Sequence, residues 1–350
     1  MEIIIFAGGA GTRLWPLSRR NTPKQFEKLK DNRSTLQMAV DRVRTFGLEH
    51  IFISTNEQYF DLVREQISDL PEAHILTEPE RRDQTAAIGL SLLRLKKQGH
   101  KGTAAILWAD HFMDYPERFV TALKQAEDLI HANPNRFVFF GEKARFANHN
   151  LGWIQRGQPI TQNVYEFVAW KYRPEIIECQ KMFASHEWVW NPGYFIFDID
   201  FVLGLYAEHQ TLMYHALQKM VENETLIKKE YATLPIFNFD NGIVEKISPN
   251  QAVVLNVDLG WSDPGTLYAL KEAIEPDPSK NYEQGNVLTL LTKDSLVYNA
   301  EAKKIVTTIG LEGVMVVNTP DALLVCHKDH VPLIKELLAK IEADNKTEYL

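Results

Sequence analysis

Short apolar segments alternate with amphipathic ones through the first half of the chain, and this alternation constrains the fold more than any other feature of the sequence. The apolar segments favour strands because they are rich in β-branched and aromatic residues: 3–6, 51–55, 74–77, 104–108, 136–141 and 163–170. The amphipathic segments predict helices at 58–70, 85–98 and 117–132. Strands that alternate with helices build a mixed, mostly parallel sheet. We therefore predict an α/β fold that binds ligands at the carboxyl ends of its strands.

The second half of the chain changes character near residue 275. Before this point, segments 194–198 and 236–240 flank a long helical stretch, about 202–224. The segment EPDPSKNYEQGN, residues 275–286, combines prolines, a glycine and polar residues, and we interpret it as a linker. Turn-separated strands follow at 287–291, 296–298, 305–309, 314–317 and 323–325, with a helix at about 330–343. The predicted domains are 1–274, the linker 275–286, and a small β-rich accessory or dimerisation domain at 287–350.

Charge and cysteine content exclude several classes of protein. The 350 residues carry a formal net charge of −8 at pH 7, which argues against a general nucleic-acid binder. Two cysteines, Cys179 and Cys326, provide no disulfide framework and fit a reducing compartment. The apolar N-terminal stretch is too short, and Glu2 too acidic, for a signal peptide, and no apolar run approaches a membrane span in length. We expect a cytoplasmic protein with no membrane or nucleic-acid partner.

Glycines follow the first predicted strand, within the stretch AGGAGTRLWPLSRRNTPKQF, residues 7–26. Gly8, Gly9 and Gly11 allow the backbone to turn tightly and to approach a ligand. The N–H groups of such a loop commonly hold phosphate. The stretch lacks the lysine of a Walker loop, and Leu14 stands where a dinucleotide-binding loop needs its third glycine. The pattern therefore predicts a phosphate-binding loop of another kind.

This stretch resembles the G-x-G-T-R…P-K signature of the sugar-phosphate nucleotidylyltransferases. Its W-P-L-S-R…P-K-Q-F form is most similar to that of the bacterial mannose-1-phosphate guanylyltransferases. The resemblance implies a Rossmann-like nucleotidyltransferase domain whose glycine loop binds a nucleoside triphosphate. It also places Arg13 against the β- and γ-phosphates, and Lys24 on the phosphates around the reacting centre. The loop residues that it assigns to the nucleotide are Ala7, Gly8, Gly9, Gly11 and Thr12.

A second block, EPERRDQTAAIG, begins at Glu78 and resembles the family segment E-P-x-x-R-N-T-A-P-A-I that lines the nucleobase site. The resemblance assigns Glu78, Arg82 and Thr85 to the nucleotide. A carboxylate or a backbone carbonyl there would accept hydrogen bonds from N1 and N2 of guanine. Asp83 and Gln84 replace the Asn-Thr pair of the family, and Ala86 replaces the second proline of the family segment. These differences leave the identity of the base less well defined. The alternative is a helix N-terminus whose polar residues only cap the helix.

Two aspartates are predicted to bind a metal ion. Asp110, in LWADHFMD, follows a predicted strand and resembles the aspartate of the P-A-D-H motif. Asp263, in DLGWSDPGTL, resembles the aspartate of G-W-S-D-V-G-S-W. The resemblance implies that both carboxylates ligate Mg²⁺, which prefers oxygen ligands, and that His111 is structural. Considered without the resemblance, Asp110 would be a helix cap or a turn residue.

Three further blocks resemble segments that contact the sugar. NLGWIQ resembles Y-G-Y-I, whose glycine, here Gly152, lets the sugar approach the backbone. VWNPGYFIF resembles W-N-S-G-x-F-x-F and places Asn191 on the sugar hydroxyls. NFDNGIVEK resembles S-I-D-Y-x-V-x-E-K and adds Asp240.

The segment WKYRP departs from the family motif F-x-E-K-P. Tyr172 stands in place of the glutamate, and Arg173 in place of the lysine that binds the sugar phosphate. We prefer this register because Pro174 then matches as well. The other register gives the role to Lys171. A guanidinium binds phosphate through two parallel hydrogen bonds, whereas an ammonium acts as a point charge. The missing glutamate removes an acceptor for sugar hydroxyls, which leaves the sugar less well defined.

The resemblance implies an enzyme that transfers a guanylyl group from GTP to mannose 1-phosphate, with help from Mg²⁺, and releases GDP-mannose and pyrophosphate. We expect a homodimer. One alternative is the same transfer with another sugar 1-phosphate or another nucleotide. The other is a non-catalytic regulatory subunit that senses nucleotide sugars. That second alternative predicts losses among Arg13, Lys24, Asp110 and Asp263, all of which are present.

Overall fold

The computed structural model of the protein describes residues 1–9, 12–19 and 21–350, and only the backbone of Thr12. In these residues the strands are β1 (Glu2–Phe6), β2 (Lys28–Lys30), β3 (Arg33–Ser34), β4 (Ile51–Asn56), β5 (Ile75–Glu78), β6 (Thr103–Trp108), β7 (Phe137–Glu142), β8 (Gly152–Pro159), β9 (Val164–Tyr172), β10 (Trp188–Asn191), β11 (Phe195–Asp198), β12 (Ala252–Val257), β13 (Tyr282–Gln284), β14 (Val287–Leu290), β15 (Leu296–Asn299), β16 (Val306–Ile309), β17 (Val314–Asn318) and β18 (Leu323–His327).

The helices lie mostly between these strands, as the alternating sequence pattern predicts. They are α1 (Thr35–Val43), α2 (Phe60–Gln66), α3 (Asp83–Lys97), α4 (Pro116–Ala132), α5 (Ile176–Ser185), α6 (Ile199–His209), α7 (Thr211–Glu222), α8 (Ile227–Glu230), α9 (Phe239–Gly242), α10 (Leu267–Ile274) and α11 (Ile334–Ala343). Local sequence sets several of their ends. Pro116 opens α4, the Asp198 carboxylate accepts the backbone N–H groups of Asp200 and Phe201 at the start of α6, and Gly99 follows α3 with φ +93°.

The described chain forms two compact units. The first consists of Met1–Gly8, Ala39–Ala109 and Met113–Trp261. The second consists of Gly9–Met38, Asp110–Phe112 and Ser262–Leu350. Segments from the first third of the sequence thus belong to the same unit as the C-terminal residues. The division at 1–274, 275–286 and 287–350 stays a prediction.

The first unit is built on a ten-stranded sheet with the order β10-β8-β9-β12-β7-β11-β6-β1-β4-β5. The strands from β6 to β5 run parallel. On the other side, β11 is antiparallel to both β6 and β7, β12 is parallel to β7, and β8, β9 and β10 are joined by antiparallel pairings. The predicted mixed α/β sheet is therefore confirmed, but it is not mostly parallel: of the nine neighbour pairings in this strand order, four are parallel and five are antiparallel.

The core of the first unit lies on both faces of this sheet. Ile3, Ile4 and Ile5 are fully buried, which explains why β1 is a continuous apolar run and not an alternating one. Aromatic side chains fill the centre, where Phe137 and Phe139 stack and tilt against the rings around them. Burial on both faces fixes the register of the central strands.

Three features of the first unit differ from the sequence prediction. The stretch 202–224 is not one helix, because Gln210 leaves the helical conformation (φ −129°, ψ 41°) and separates α6 from α7. Segment 236–240 is irregular and then enters α9. Strands β8, β10 and β12 were not predicted, and they make up much of the antiparallel half of the sheet.

The second unit contains the predicted C-terminal strands and one more, β13, which lies within the segment 275–286 that the sequence analysis interprets as a linker. β13, β15 and β17 pair in parallel, β18 joins antiparallel, and β14 and β16 form a separate parallel pair. From β13 to β17, successive strands thus alternate between two small sheets, which is the pattern of a β-helix. The apolar core of this unit includes Trp15 and Leu29 from the N-terminal segment beside Leu296 and Met315.

No helix in the described part of the chain is both long and apolar enough to cross a membrane. Cys179 is buried and Cys326 is half-buried, and both thiols are free.

Candidate active site

A buried lysine in the second unit joins the two aspartates that the sequence predicts to bind metal. The Lys24 Nζ atom lies 2.7 Å from Oδ2 of Asp110 and 3.3 Å from Oδ1 of Asp263. Lys24 is only 8% exposed. Three residues that lie far apart in the sequence therefore meet at one ammonium group.

Local structure positions each of these three side chains. Lys24 begins a 3₁₀ turn, Lys24–Phe26, directly after Pro23. In the next position, the Gln25 side-chain amide donates to the Gly9 carbonyl at 3.1 Å, which holds the glycine loop. Phe112 and Ser262 exchange two backbone hydrogen bonds of 3.0 and 3.1 Å. This short bridge keeps the segments that carry Asp110 and Asp263 side by side.

The charges of this cluster stabilise one another. Burial lowers the pKa of Lys24, but the carboxylates of Asp110 and Asp263 outweigh it and raise that pKa above its ordinary value. Burial raises the pKa of Asp110, but the Lys24 and His111 side chains outweigh it, so that this pKa lies below its usual range. The His111 Nε2 atom lies 3.8 Å from Oδ1 of Asp110. The lysine is therefore a cation, and Asp110 a carboxylate, at neutral pH.

Arg13 is the other basic residue predicted to contact the triphosphate. A Cβ atom added to Gly265 would lie 3.3 Å from Nη1 of Arg13, so the guanidinium lies directly beside this glycine. The side chain of Arg13 is otherwise exposed. Gly11 and the side chain of Thr12 lie outside the described residues, and their assignment to the nucleotide stays a prediction.

In the first unit, the end of β1 lies beside Glu78. A Cβ on Gly8 would be 3.7 Å from Oε1 of Glu78, and the Ala7 N–H donates to the Ser54 carbonyl at 2.8 Å. The Tyr231 hydroxyl donates to Oε2 of Glu78 at 2.5 Å. Burial raises the pKa of Glu78 to about 7, although the Tyr231 hydrogen bond opposes this effect. No local sequence pattern marks Tyr231 as a partner of Glu78.

Thr85 and Asp240 lie on neighbouring segments of the first unit. The Thr85 hydroxyl donates to the Asn238 carbonyl at 2.7 Å, and its N–H donates to the Phe237 carbonyl. Thr85 is fully buried, so these bonds give it a structural part in holding the segment that leads to Asp240. Oδ1 of Asp240 is buried without a hydrogen-bond partner among the described residues. Burial raises the pKa of Asp240 to about 6.

Arg82 ends the loop before α3. Its Nη2 atom lies 3.4 Å from the exposed Glu80 carboxylate, and its Nε is buried without a partner in the described part of the chain. The guanidinium can therefore still donate to a further ligand.

Gly152 and Asn191, both predicted to contact the sugar, are direct neighbours in the first unit. They pair across β8 and β10, and a Cβ on Gly152 would be 3.3 Å from that of Asn191. Oδ1 of Asn191 accepts the Gly193 N–H at 2.9 Å, and the Gly193 carbonyl accepts the Trp108 indole N–H at 2.8 Å. Gly193 has φ +74°, a conformation that favours glycine. The turn after β10 is therefore held at both ends.

The two candidate cations for the sugar phosphate differ in their contacts. Lys171 forms an ion pair of 2.7 Å with Glu178. The Arg173 guanidinium instead lies over the Tyr172 ring at 5.0 Å. The backbone N–H of Arg173 donates to the carbonyl of Leu151, the residue before Gly152. Lys171 already has a carboxylate partner, so the contacts favour Arg173 as the cation available to a phosphate.

Comparison with known proteins gives two family matches. The nucleotidyl transferase family matches residues 2–280, which is most of the chain. The mannose-phosphate isomerase/GMP-like β-helix domain matches residues 285–341, which contain β14 to β18.

Curated relatives match almost the full chain. A mannose-1-phosphate guanylyltransferase of Klebsiella pneumoniae is 31% identical over 99% of this chain and 75% of its own length. The xanthan biosynthesis protein XanB of Xanthomonas campestris is 32% identical over 99% of this chain and 74% of its own length. Among solved structures, a protein named mannose-1-phosphate geranyltransferase from Thermus thermophilus superposes with a TM-score of 0.87 at 26% identity, covering 97% of this chain and 99% of its own.

Proposed function

The chain belongs to the nucleotidyl transferase family, and we propose that it transfers a guanylyl group from GTP to mannose 1-phosphate. A phosphate oxygen of the sugar phosphate attacks the α-phosphorus of GTP and forms the new P–O bond. The bond from the α-phosphorus to the bridging oxygen of the β-phosphate breaks, and pyrophosphate leaves with the electron pair. The products are GDP-mannose and pyrophosphate. The Klebsiella pneumoniae relative, a mannose-1-phosphate guanylyltransferase, supports the choice of both substrates.

The observation that carries this proposal is the Lys24 cluster of the second unit. The nucleophile is already an anion, so the reaction needs no strong general base, and catalysis becomes a matter of positioning and charge neutralisation. Lys24 is buried and charged, as a group must be that stabilises negative charge in a water-poor site. Arg13, whose guanidinium lies beside Gly265, supplies a second cation for the departing pyrophosphate.

The residues present fit a Mg²⁺ ion. Asp110 and Asp263 offer carboxylate oxygens, and both are partly exposed, at 29% and 35% of their side chains. Among the described residues no group of three or more His, Cys, Asp or Glu side chains forms a closed metal site. Mg²⁺ characteristically takes one or two carboxylates together with substrate phosphates. We propose that Asp110 and Asp263 hold it, and when bound it would neutralise phosphate charge.

Other residues are proposed to select the base and the sugar. Glu78 offers a buried acceptor for the base. Asn191 offers its amide N–H groups to the sugar hydroxyls, with Gly152 beside it, and the unpartnered oxygen of Asp240 offers a further acceptor. Since a buried oxygen without a partner costs free energy, a hydroxyl donor from the substrate would offset that cost.

The proposed substrates predict the outcome of an assay over all four nucleoside triphosphates and several sugar 1-phosphates, with pyrophosphate release as the readout. We expect the highest kcat/KM for GTP with mannose 1-phosphate, and no release in excess EDTA. Faster turnover with UTP or dTTP would contradict the base assignment. Faster turnover with glucose 1-phosphate would show that WKYRP specifies another sugar. Absence of release from every pair would favour the regulatory-subunit alternative.

The contacts of Arg173 and Lys171 predict different kinetic effects for their alanine variants. Arg173→Ala should raise KM for mannose 1-phosphate about thirty- to a hundredfold, because it removes a charge-assisted, two-point contact with the phosphate. KM for GTP should change little. Lys171→Ala is the matched comparison and should leave both constants near the wild-type values, since Lys171 is paired with Glu178. The reverse pattern would assign the sugar phosphate to Lys171.

We propose a homodimer that forms through the β14–β16 sheet. Leu288, Leu290 and Ile309 are 62%, 59% and 68% exposed, and Leu290 pairs directly with Ile309 across the two strands. Exposed apolar groups on one sheet face typically mark an interaction surface.

Sedimentation equilibrium should give about twice the chain mass of 40.2 kDa. Leu290→Glu should lower it towards one chain, whereas Leu212→Glu, at a still more exposed leucine of α7, should not. A monomeric wild-type protein would contradict the proposal.

A further inference from the structure

A fully buried carboxylate, Glu142, ends strand β7 in the first unit and was not among the residues that the sequence analysis selected. Both of its oxygens accept the Leu259 N–H, at 3.2 and 3.0 Å. Oε1 also accepts the Trp261 N–H at 3.2 Å. The carboxylate therefore binds the backbone of one turn, residues 259–261, at two points.

The turn 259–261 is also held from its other side. The Leu259 carbonyl accepts the backbone N–H groups of Asp114 and Tyr115 at 3.1 and 3.0 Å. Gly260 has φ +63°, and a Cβ atom there would lie 2.6 Å from the Cβ of Asp114. The turn thus has a conformation and a packing that require glycine, and Glu142 satisfies the N–H groups that this conformation leaves pointing inward.

Arg145 adds a second contact to the same turn. Its Nη1 donates to Oε1 of Glu142 at 3.3 Å, and its Nη2 donates to the Trp261 carbonyl at 2.6 Å. The guanidinium also lies over the Trp190 ring at 4.9 Å. Trp190 directly precedes Asn191. Glu142 and Arg145 therefore form one hydrogen-bonded clamp on the backbone of the turn.

We propose that Glu142 is a positioning residue for nucleotidyl transfer: by fixing the turn 259–261, it sets the backbone from which Asp263 projects two residues later. This inference rests on the proposed function. Glu142 contacts only protein groups, so it would act through the turn and not on the substrate. A shift of about 1 Å in a catalytic group can lower the rate of a reaction a hundredfold. A turn that is held firmly therefore helps to maintain kcat.

The buried charge of Glu142 lowers the stability of the fold. This argues that the charged carboxylate serves a purpose other than stability. A buried carboxylate commonly stabilises a fold less than an uncharged group of the same shape. Burial raises the pKa of Glu142 to about 7, against the opposing effect of the two N–H groups and Arg145, and Asp258 adds to the rise. Lys143 lies 3.5 Å from Asp258 and is exposed. The ionised carboxylate accepts the N–H groups more strongly than the protonated form, so the clamp should weaken as the pH falls through about 7.

The test compares the wild-type enzyme with Glu142→Gln, which keeps the size of the side chain and removes its charge. We expect kcat to fall about ten- to a hundredfold at pH 8, with KM for GTP and mannose 1-phosphate within about threefold of wild type. Because the wild-type carboxyl becomes neutral at lower pH, the ratio of the two kcat values should approach one below about pH 6. Titration of the substrates affects both enzymes equally and therefore does not change this ratio.

Thermal unfolding separates this role from a purely structural one. In the folded wild type the pKa of Glu142 is raised, so its protonated form adds to the free energy of unfolding. This contribution is lost as the pH rises from about 4.5 to about 7. Glu142→Gln should therefore keep or raise the Tm at pH 8 while kcat falls. Glu2→Gln is the matched control: Glu2 is a buried strand glutamate that faces His50 and His100, and its loss should leave kcat unchanged.

Wild-type kcat in Glu142→Gln at pH 8, or a kcat ratio that does not change with pH, would overturn the proposal. If Glu142→Gln does not fold, Arg145→Met tests the same clamp, and an unchanged kcat in that variant would overturn it equally. A wild-type enzyme that releases no pyrophosphate from any substrate pair would instead contradict the proposed function, so the two failures are distinguishable.

Discussion

The Lys24 ammonium group, buried against Asp110 and Asp263, is the interaction on which the rest of the proposed chemistry depends. Two carboxylates about 4 Å apart repel each other by roughly 1–4 kcal/mol, depending on the effective dielectric constant. A shared lysine offsets that repulsion while no other cation is bound. We propose that the same lysine is also the cation for phosphate oxygens, so that one residue stabilises the protein alone and serves the reaction when substrates are bound.

Three strands of the first unit that precede these segments in the sequence run in the same direction. β1 and β6 are neighbouring parallel strands, with Phe6 paired to Trp108, so the residues that follow them leave the sheet at the same edge. The Ala109 N–H donates to the Phe6 carbonyl at 3.0 Å and continues this pairing beyond the strand. β12 runs in the same direction, since it is parallel to β7, and both β7 and β6 are antiparallel to β11. The glycine loop, Asp110 and Asp263 therefore each follow a strand of the same direction.

Much of this arrangement could be predicted from local sequence. β1, β4 and β6 are buried on both faces, so each appears in the sequence as a short continuous apolar run. The glycine loop after β1 can be recognised by its glycines. The break at Gln210 could not be predicted, because neither glycine nor proline interrupts the apolar periodicity there. β8 and β10 were missed because their residues alternate imperfectly, and their pairing with each other is what makes them strands.

The side chains of the proposed site divide in the same way, into those that local sequence marks and those that only the fold brings to their partners. Lys24, Asp110 and Asp263 stand in motifs that can be recognised, whereas Tyr231 and Glu142 acquire their partners only through the fold, 153 and 117 to 119 positions away along the chain. A buried glutamate at the end of an apolar strand, as in FVFFGE, is the one local sign that Glu142 has a special environment.

The most direct measurement of the central claim is a double-mutant cycle on kcat with Lys24→Met, Asp110→Asn and the variant that combines them. If Lys24 and Asp110 act as one electrostatic unit, each single substitution should lower kcat by about a hundredfold or more, and the combination should lower it by little more than the worse single. The coupling free energy would then be large. Losses that multiply, so that the double variant falls by the product of the two single factors, would show that the residues act independently and would contradict the account.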